Sequence, residues 1–253
     1  MHSAFQRTNH RPWPVPERAW TWRQSWHDLL FAHWPIPARE LRAFVPEPLR
    51  VQEFEGTSYV GIVPFRMSGV MRRPFPDLPW VSAFPELNVR LYVEHGGKAG
   101  VWFLSLDATN PLAVWAARRF FYLPYYRSTM SLREMPDGDI EYRAARAGAA
   151  FRGNYRPTSA PYLAQPGTLE HWLTERYCLY ALAPGGRLLR NDVHHVPWPL
   201  QRASAEITTN TFPEYHRLPV EGPPPLLHFA RRIDVVVWSA ETVSGNSSAG
   251  SSL

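Results

Sequence analysis

Polar side chains occupy every second position of residues 84–94, and their chemical types suit a small-molecule site. They are Glu86, Asn88, Arg90, Tyr92 and Glu94, with Leu87, Val89, Leu91 and Val93 between them. This period of two predicts a β-strand with one polar and one apolar face. Polar neighbours then stand ~6.6 Å apart. Facing water, the row is an ordinary solvated strand; facing a cavity, it can bind and protonate a ligand, and we favour the cavity.

Glu86 is the candidate general acid or base of this row. Burial raises the pKa of a carboxyl group, whereas a nearby Arg90 lowers it, and this balance tunes a proton carrier. Arg90 is also a candidate catalytic residue, because its planar guanidinium can hold a carboxylate or an enolate oxygen. Asn88 and Tyr92 would orient a substrate by hydrogen bonds. The alternative is a structural Glu–Arg pair on an exposed strand.

A second group of candidates lies outside this strand. Tyr125 and Arg127 are two positions apart, so we expect them to share a strand face and to add a phenol and a cation to the pocket. Trp80, Phe84 and Trp102 are candidates for an aromatic wall. An aromatic core with a surface arginine is the alternative for Tyr125 and Arg127.

The adjacent pair His194 and His195 is predicted to lie in a strand, so its rings should point to opposite faces. One of the two can therefore enter a given pocket, where it would carry a proton or donate a hydrogen bond. Further potential metal ligands in the sequence are His33, His228 and Asp192, but no spacing typical of a metal site links them to the histidine pair. No metal is therefore predicted. No cofactor is predicted either, because nucleotide-binding glycine motifs are missing.

Residues 169–181 carry an apolar stripe at helical spacing after Thr168, a favourable N-cap residue, and predict a helix. Within it, Cys178 is interpreted as a small buried hydrophobic residue. Glu175 and Arg176 face partly away from the stripe and are interpreted as a surface or cross-sheet salt bridge. An earlier helix is predicted for residues 111–121, with Asn110 as N-cap.

The composition favours one β-rich domain. The chain has 253 residues, 45% hydrophobic, with 26 prolines and 11 tryptophans. Its net charge of +5 comes from scattered arginines rather than a basic run, so nucleic acid is not an expected partner. With one cysteine, no intrachain disulfide can form. The sequence contains no apolar run of bilayer length, and a cytoplasmic protein without membrane contact is expected. A monomer and a homo-oligomer are both left open.

The predicted organisation is an N-terminal arm over residues 1–19, a single domain over 20–240 and a flexible tail over 241–253. Many strands with two amphipathic helices indicate an α+β, β-rich class. Residues 70–84 are rich in proline and bulky side chains, and are predicted to form a long loop.

Several motifs together resemble those of the YqjF-like family of uncharacterised bacterial proteins. They include Glu86-Leu87-Asn88-Val89-Arg90 and His194-His195, and occupy residues 29–34, 86–90, 104–107, 123–125, 173–177, 194–200 and 227–230. The family is similar in fold to acetoacetate decarboxylase. The resemblance therefore implies a double-layered antiparallel β-cone or barrel with two or three flanking helices and an internal cavity.

The same resemblance separates this chain from decarboxylase chemistry. The decarboxylase forms a Schiff base through a lysine that follows the helix equivalent to residues 111–121. This chain has Leu123-Pro124-Tyr125-Tyr126 there, and its single lysine, Lys98, lies in a predicted hairpin turn. The resemblance matches the strand carboxylate to Glu86. Covalent amine catalysis is therefore not expected.

Two functions remain open from the sequence. The first is a small-molecule enzyme, of lyase or isomerase type, that uses acid–base and electrostatic chemistry on an oxo acid, a phenol or an enolisable carbonyl. The second is a non-catalytic protein that binds a small-molecule ligand in the same cavity. Titration of Glu86 near neutral pH distinguishes them, because an enzyme needs it and a binder does not.

Overall fold

Fourteen strands and four short helices make up the protein, in a computed structural model that describes residues 2–75 and 83–243. The strands are β1 (Trp22–Ile36), β2 (Arg50–Val51), β3 (Ser58–Arg72), β4 (Phe84–His95), β5 (Lys98–Ala108), β6 (Tyr125–Arg127), β7 (Thr129–Glu134), β8 (Ile140–Arg146), β9 (Ala149–Pro157), β10 (Cys178–Ala183), β11 (Arg187–His194), β12 (Gln201–Asn210), β13 (Leu226–Val237) and β14 (Glu241–Thr242). The helices are α1 (Ala38–Leu41), α2 (Pro111–Phe121), α3 (Leu169–Thr174) and α4 (Phe212–Tyr215). The β-rich α+β class is confirmed.

Seven of the strands close into a ring. They pair in the order β11-β10-β5-β4-β3-β1-β13, and β13 pairs back to β11 through Val193 with Val237 and His194 with Val236. Closure removes the exposed edges of these strands. Most pairings are antiparallel, but β10–β5 and β5–β6 are parallel, so the sheet is mixed rather than wholly antiparallel.

The remaining long strands form a second layer outside the ring. Strands β12, β9, β8 and β7 continue from β13 and bury an apolar face against β1, β3 and β4. Two tyrosine hydroxyls fasten the layers, since Tyr142 donates to the Glu86 carbonyl at 2.7 Å and Tyr155 to the Asp28 carbonyl at 2.8 Å. This layer therefore supports the back of β4.

Local signals explain several element ends. Gly96 and Gly97 form the two-residue turn between β4 and β5, and both adopt positive φ, which glycine tolerates without steric cost. The Asn110 side chain accepts from the Leu112 amide at the start of α2, as the N-cap prediction requires. The Thr168 side chain likewise accepts from the His171 amide at the start of α3.

The predicted helix over residues 169–181 is wrong in its second half. Helix α3 ends at Thr174, and residues from Cys178 onward form β10. Strand β10 fills the gap between β5 and β11 in the ring, so pairing with two neighbours overrides the helical spacing. Cys178 is buried, as expected, but it lies in a strand.

The described parts of the predicted arm and tail include short regular elements. Residues 3–6 form a 3-10 helix whose Ala4 packs against Val236 and Trp238. At the other end, Glu241 and Thr242 form β14 on the edge of β11. Of the predicted loop, residues 70–72 belong to β3, whereas 76–82 lie outside the described residues. In the described part, every helix falls short of the length and hydropathy needed to cross a bilayer.

Candidate active site

The ring of seven strands surrounds a cavity of about 160 Å³. Each strand of the ring contributes at least one lining residue, and α2 and the segment after it add others. The lining is mainly apolar. Its aromatic members are Trp22, Trp26, Phe31, Phe65, Phe84, Phe103, Phe121, Tyr125 and Trp198. An apolar cavity with a few polar groups is the usual form of a small-molecule site.

One face of strand β4 points into this cavity, and it carries part of the predicted polar row. Glu86, Asn88 and Arg90 line it together with Phe84. The alternate residues, Leu87, Val89, Leu91 and Val93, pack into the main core instead. The structure thus places the first three polar residues of the row as the period of two predicts.

Glu86 is almost fully buried, at 1% exposure. Burial raises the pKa of its carboxyl group to about 8, and the neighbouring Asp107 adds to the rise. Hydrogen bonds from Tyr125 and Asn88 stabilise the charged form and offset part of this effect. The Tyr125 hydroxyl, which also lines the cavity, donates to Glu86 Oε2 at 2.6 Å. Glu86 is therefore mostly protonated at neutral pH.

The expected Glu86–Arg90 pair does not form within the described ranges. Arg90 instead donates from Nε to the Tyr92 hydroxyl at 3.2 Å and from Nη2 to the Leu173 carbonyl at 3.4 Å. The physical reason is spacing, since four strand residues span ~13 Å and place the two groups at different ends of the cavity. Burial, rather than a neighbouring arginine, dominates the pKa of Glu86.

Tyr92 and Glu94 lie outside the cavity lining in the described structure. Tyr92 is fully buried behind it, where its hydroxyl contacts His33 Nε2 at 2.6 Å and accepts from Arg90. Tyr92 therefore positions Arg90 and is not placed to bind a ligand directly. Glu94 accepts from Arg50 and Gln52 near the end of the strand.

Trp102 points away from the cavity, contrary to the prediction of an aromatic wall. Regular alternation from Leu106 would place Leu104 and Trp102 inside. The register between β4 and β5 shifts at Leu104, where a β-bulge adds one residue and turns Phe103 inward. The Trp102 indole instead donates to the Phe44 carbonyl at 3.0 Å.

Arg127 does not contribute to the cavity lining. Arg127 is exposed at the end of β6 and does not line the cavity, while Tyr125 on the same short strand does. The strand is only three residues long, so its far end already reaches solvent. Trp80 lies outside the described residues.

The histidine pair divides as the strand geometry predicts, and His195 faces the cavity. Its Nδ1 lies 2.7 Å from the Val196 carbonyl, so this nitrogen carries a proton to donate. Burial lowers the pKa of His195 to about 4, so the ring is neutral at pH 7. His194 faces the N-terminal arm and stacks on His10 at 5.6 Å between ring centroids. His194 is therefore the member of the pair that does not line the cavity.

Arg176 is the cavity residue that the sequence did not identify. It is 7% exposed, lines the cavity and has no ion pair among the described residues, so its interpretation as part of a salt bridge is wrong. Helix α3 ends at Thr174, just before Arg176, and a correct prediction of this helix end could have revealed the position of Arg176. Glu175, its neighbour, accepts from the Tyr177 hydroxyl and the Trp198 amide.

Lys98 stands apart from the cavity. It begins β5 beside the hairpin turn, and its Nζ lies 5.3 Å from the centroid of the Trp13 ring. Within residues 2–75 and 83–243, no group of three or more His, Cys, Asp or Glu side chains could hold a metal ion.

Several solved structures of enzymes are similar in fold to this protein. The enduracididine biosynthesis enzyme MppR with bound HEPES has a TM-score of 0.63 at 12% identity, over 90% of this chain and 89% of that chain. An acetoacetate decarboxylase-like enzyme from Sphingomonas wittichii RW1 has a TM-score of 0.61 at 14% identity, over 93% and 98%. Acetoacetate decarboxylase from Legionella pneumophila has a TM-score of 0.58 at 12% identity, over 96% of both chains. These likenesses show the acetoacetate decarboxylase-like fold.

The sequence comparisons show the family. The protein YqjF of Bacillus subtilis (strain 168), described as uncharacterized, is 43% identical over 241 residues, which cover 94% of this chain and 98% of that protein. The profile of DUF2071, a family described as an uncharacterized conserved protein, matches residues 23–234. The chain therefore belongs to the DUF2071 family, whose member YqjF it resembles along nearly its whole length.

Proposed function

We propose that this protein is a small-molecule enzyme that moves a proton with Glu86 and binds its substrate through polar groups of the same cavity, Asn88 beside Glu86 and Arg90 at the other end. The observation that carries the proposal is the raised pKa of Glu86, about 8, in a largely apolar cavity. A carboxyl group that titrates near neutral pH can both give and take a proton. The expected substrate is an oxo acid, a phenol or an enolisable carbonyl.

The proposed step is a reversible proton transfer at the carbon next to a carbonyl. Ionised Glu86 takes the proton from that carbon, the electron pair of the C–H bond forms a C=C bond, and the π pair of the carbonyl group moves to its oxygen. The resulting enolate oxygen is stabilised by a hydrogen-bond donor of the lining beside Glu86, such as the Asn88 amide. Tyr125 keeps Glu86 oriented through its hydrogen bond. Glu86 returns the proton, so neither an oxidant nor a covalent intermediate is needed.

A ligand-binding protein without catalysis is the second candidate. The mainly apolar lining and the position of Lys98 outside it favour this alternative, because they supply binding without a covalent nucleophile. A binder would tolerate a glutamine at position 86.

The test is α-proton exchange in D₂O. Pyruvate, acetoacetate, 4-benzoylbutyrate and acetophenone serve as probes, and ¹H NMR follows the loss of each α-proton signal with wild-type protein and with Glu86→Gln. We expect at least one probe to exchange with the wild type and the exchange to fall ~100-fold or more in the variant. Glu141→Gln, on the outer-layer strand β8, is the matched control and should exchange like the wild type. Equal exchange by Glu86→Gln would remove Glu86 from the mechanism, and no exchange by the wild type would leave the binder.

A further inference from the structure

Two arginines share one end of the cavity without a carboxylate partner in the described structure. Arg90 and Arg176 both line the cavity. Their guanidinium carbons lie 5.6 Å and 5.0 Å from the centroid of the same Tyr92 ring. Two cations packed against one ring repel each other, and this end of the cavity is therefore strongly positive.

Arg176 is held in place by neutral groups. Its Nε donates to the Trp172 carbonyl at 2.7 Å, and its Nη1 donates to Gln52 Oε1. Its Nη2 is buried and has no hydrogen-bond partner among the described residues. A buried, unpaired charge with a free donor is costly, so these features favour an anion bound beside it.

Among the described residues, the opposite end of the cavity lacks a compensating negative charge at neutral pH. Glu86 is the acidic residue of the described lining, and burial keeps it mostly protonated, with a pKa of about 8. The neutral His195 adds no charge. The charged groups of the lining, as far as the structure describes it, are thus two guanidinium groups, and a neutral ligand would leave both unpaired.

From this arrangement we infer that the ligand is a monocarboxylate whose carboxylate binds to Arg90 and Arg176, and whose carbonyl or hydroxyl group lies at the other end, beside Glu86. The Cα atoms of Glu86 and Arg90 are ~13 Å apart along β4. Both side chains line the cavity and take up part of this distance, so an apolar linker of a few carbon atoms, as in 4-benzoylbutyrate, separates the two functional groups. This inference rests on the proposed function of the cavity and narrows its substrate class. Pyruvate and acetoacetate are too short to reach both ends.

The experiment is isothermal titration calorimetry at pH 7 with 4-benzoylbutyrate and its neutral isostere, 4-benzoylbutyramide. We expect the carboxylate to bind ~10- to 100-fold more tightly than the amide, since charge-assisted hydrogen bonds are stronger than neutral ones. It should also bind at least ~10-fold more tightly than pyruvate, because its body buries apolar surface. Arg176→Gln should abolish the preference for the carboxylate and leave amide binding nearly unchanged.

Two further variants keep the test decisive. Arg90→Gln alters a partly exposed side chain, so it is expected to fold even where Arg176→Gln does not, and it too should lose the preference. Arg50→Gln removes the same charge from an exposed arginine paired with Glu94, outside the cavity, and should keep the preference. Equal affinity for carboxylate and amide, no binding of either, or a preference retained in Arg90→Gln would overturn the inference.

Glu86→Gln separates this inference from the proposed function. The variant should keep the preference for the carboxylate, because its arginines are unchanged, while it loses proton exchange. Exchange that depends on Glu86 without any carboxylate preference would retain the enzyme and reject the substrate class. A carboxylate preference without exchange in the wild type would retain the substrate class and reject the enzyme.

Discussion

The Tyr125 hydroxyl donates a hydrogen bond of 2.6 Å to Oε2 of Glu86, and both side chains are buried at the cavity. Strand β6 brings Tyr125 beside β5, and β5 pairs in turn with β4, which carries Glu86. This phenol occupies the chain position after Pro124 where the resemblance to the decarboxylase would require an amine. The pair places a buried carboxyl group beside a neutral hydrogen-bond donor.

Removal of the Tyr125 hydroxyl should raise the pKa of Glu86 above its value of about 8, because the hydrogen bond stabilises the carboxylate. Tyr125→Phe should also cost ~1–3 kcal/mol in the free energy of unfolding. A pH titration of proton exchange and a urea unfolding curve measure the two effects. Tyr142→Phe is the control, since its hydroxyl contacts the Glu86 carbonyl and not the carboxyl group. A pKa unchanged or lowered in Tyr125→Phe would contradict the assignment.

Glu86 should make the protein less stable as pH rises. Its pKa is about 8 in the folded protein against an ordinary value of 4.5, so the folded state holds the proton more tightly than the unfolded state. This contribution is fully present below pH 4.5 and is lost as pH rises towards 8, at up to ~1.4 kcal/mol per pH unit. The difference in unfolding free energy between wild type and Glu86→Gln should fall over this range. A difference independent of pH would show that Glu86 has an ordinary pKa.

His194 should have the opposite effect. Burial, followed by the charges of Arg11, His195 and His10, lowers the pKa of His194 to about 3. Its neutral form therefore contributes stability above pH 6.5 that is lost as pH falls towards 3. Urea unfolding at pH 7 and pH 4.5 should show a smaller acid destabilisation in His194→Gln than in wild type. Identical acid destabilisation in both proteins would argue against a buried, neutral His194.

The N-terminal arm should contribute to stability through Arg11. Its guanidinium is buried and donates to Asp192 at 3.3 Å. Truncation removes the donors to Asp192 and to the Val193 carbonyl but leaves Asp192 paired with Arg190 at 3.4 Å, so Arg11→Ala should cost ~1–3 kcal/mol. Arg18→Ala is the matched control, because Arg18 forms a half-exposed pair with Glu241 at 2.9 Å and should cost under ~1 kcal/mol. Equal, small losses in thermal unfolding would mean that the arm is not anchored by Arg11.

Sodium borohydride should not trap a substrate on this protein. The chain has one lysine, and the Lys98 ammonium lies against Trp13 rather than at the cavity. Incubation with acetoacetate and borohydride should therefore leave the intact mass unchanged. A mass increase that maps to Lys98 and disappears in Lys98→Arg would restore Schiff-base chemistry.

The polar row of β4 was predictable because a strand alternates strictly between its faces. The prediction of Glu86, Asn88 and Arg90 required only this period of two and the choice of the polar face as the one that lines the cavity. The division between His194 and His195 follows from the same rule. Most of the site residues that can be predicted from the sequence therefore lie on one uninterrupted strand.

The remaining site residues depend on contacts between distant segments. A bulge at Leu104 decides that Phe103 rather than Trp102 faces inward, and no local pattern in β5 marks it. Arg176 enters the cavity because the segment that follows it pairs with β5 as strand β10. This pairing ends the helix that was predicted over residues 169–181. Pairing of β13 with β11 closes the ring, and nothing near either strand in the chain signals that contact.

Direct titration of the Glu86 carboxyl group tests the central claim most simply. Protein labelled with ¹³C at the glutamate δ-carbon would be followed by NMR from pH 4 to pH 10, with Glu86→Gln used to assign the resonance. The account predicts a midpoint near pH 8, in accord with burial in an apolar cavity. A midpoint near the ordinary value of 4.5 would contradict it, because it would show that burial in the cavity does not raise the pKa of Glu86.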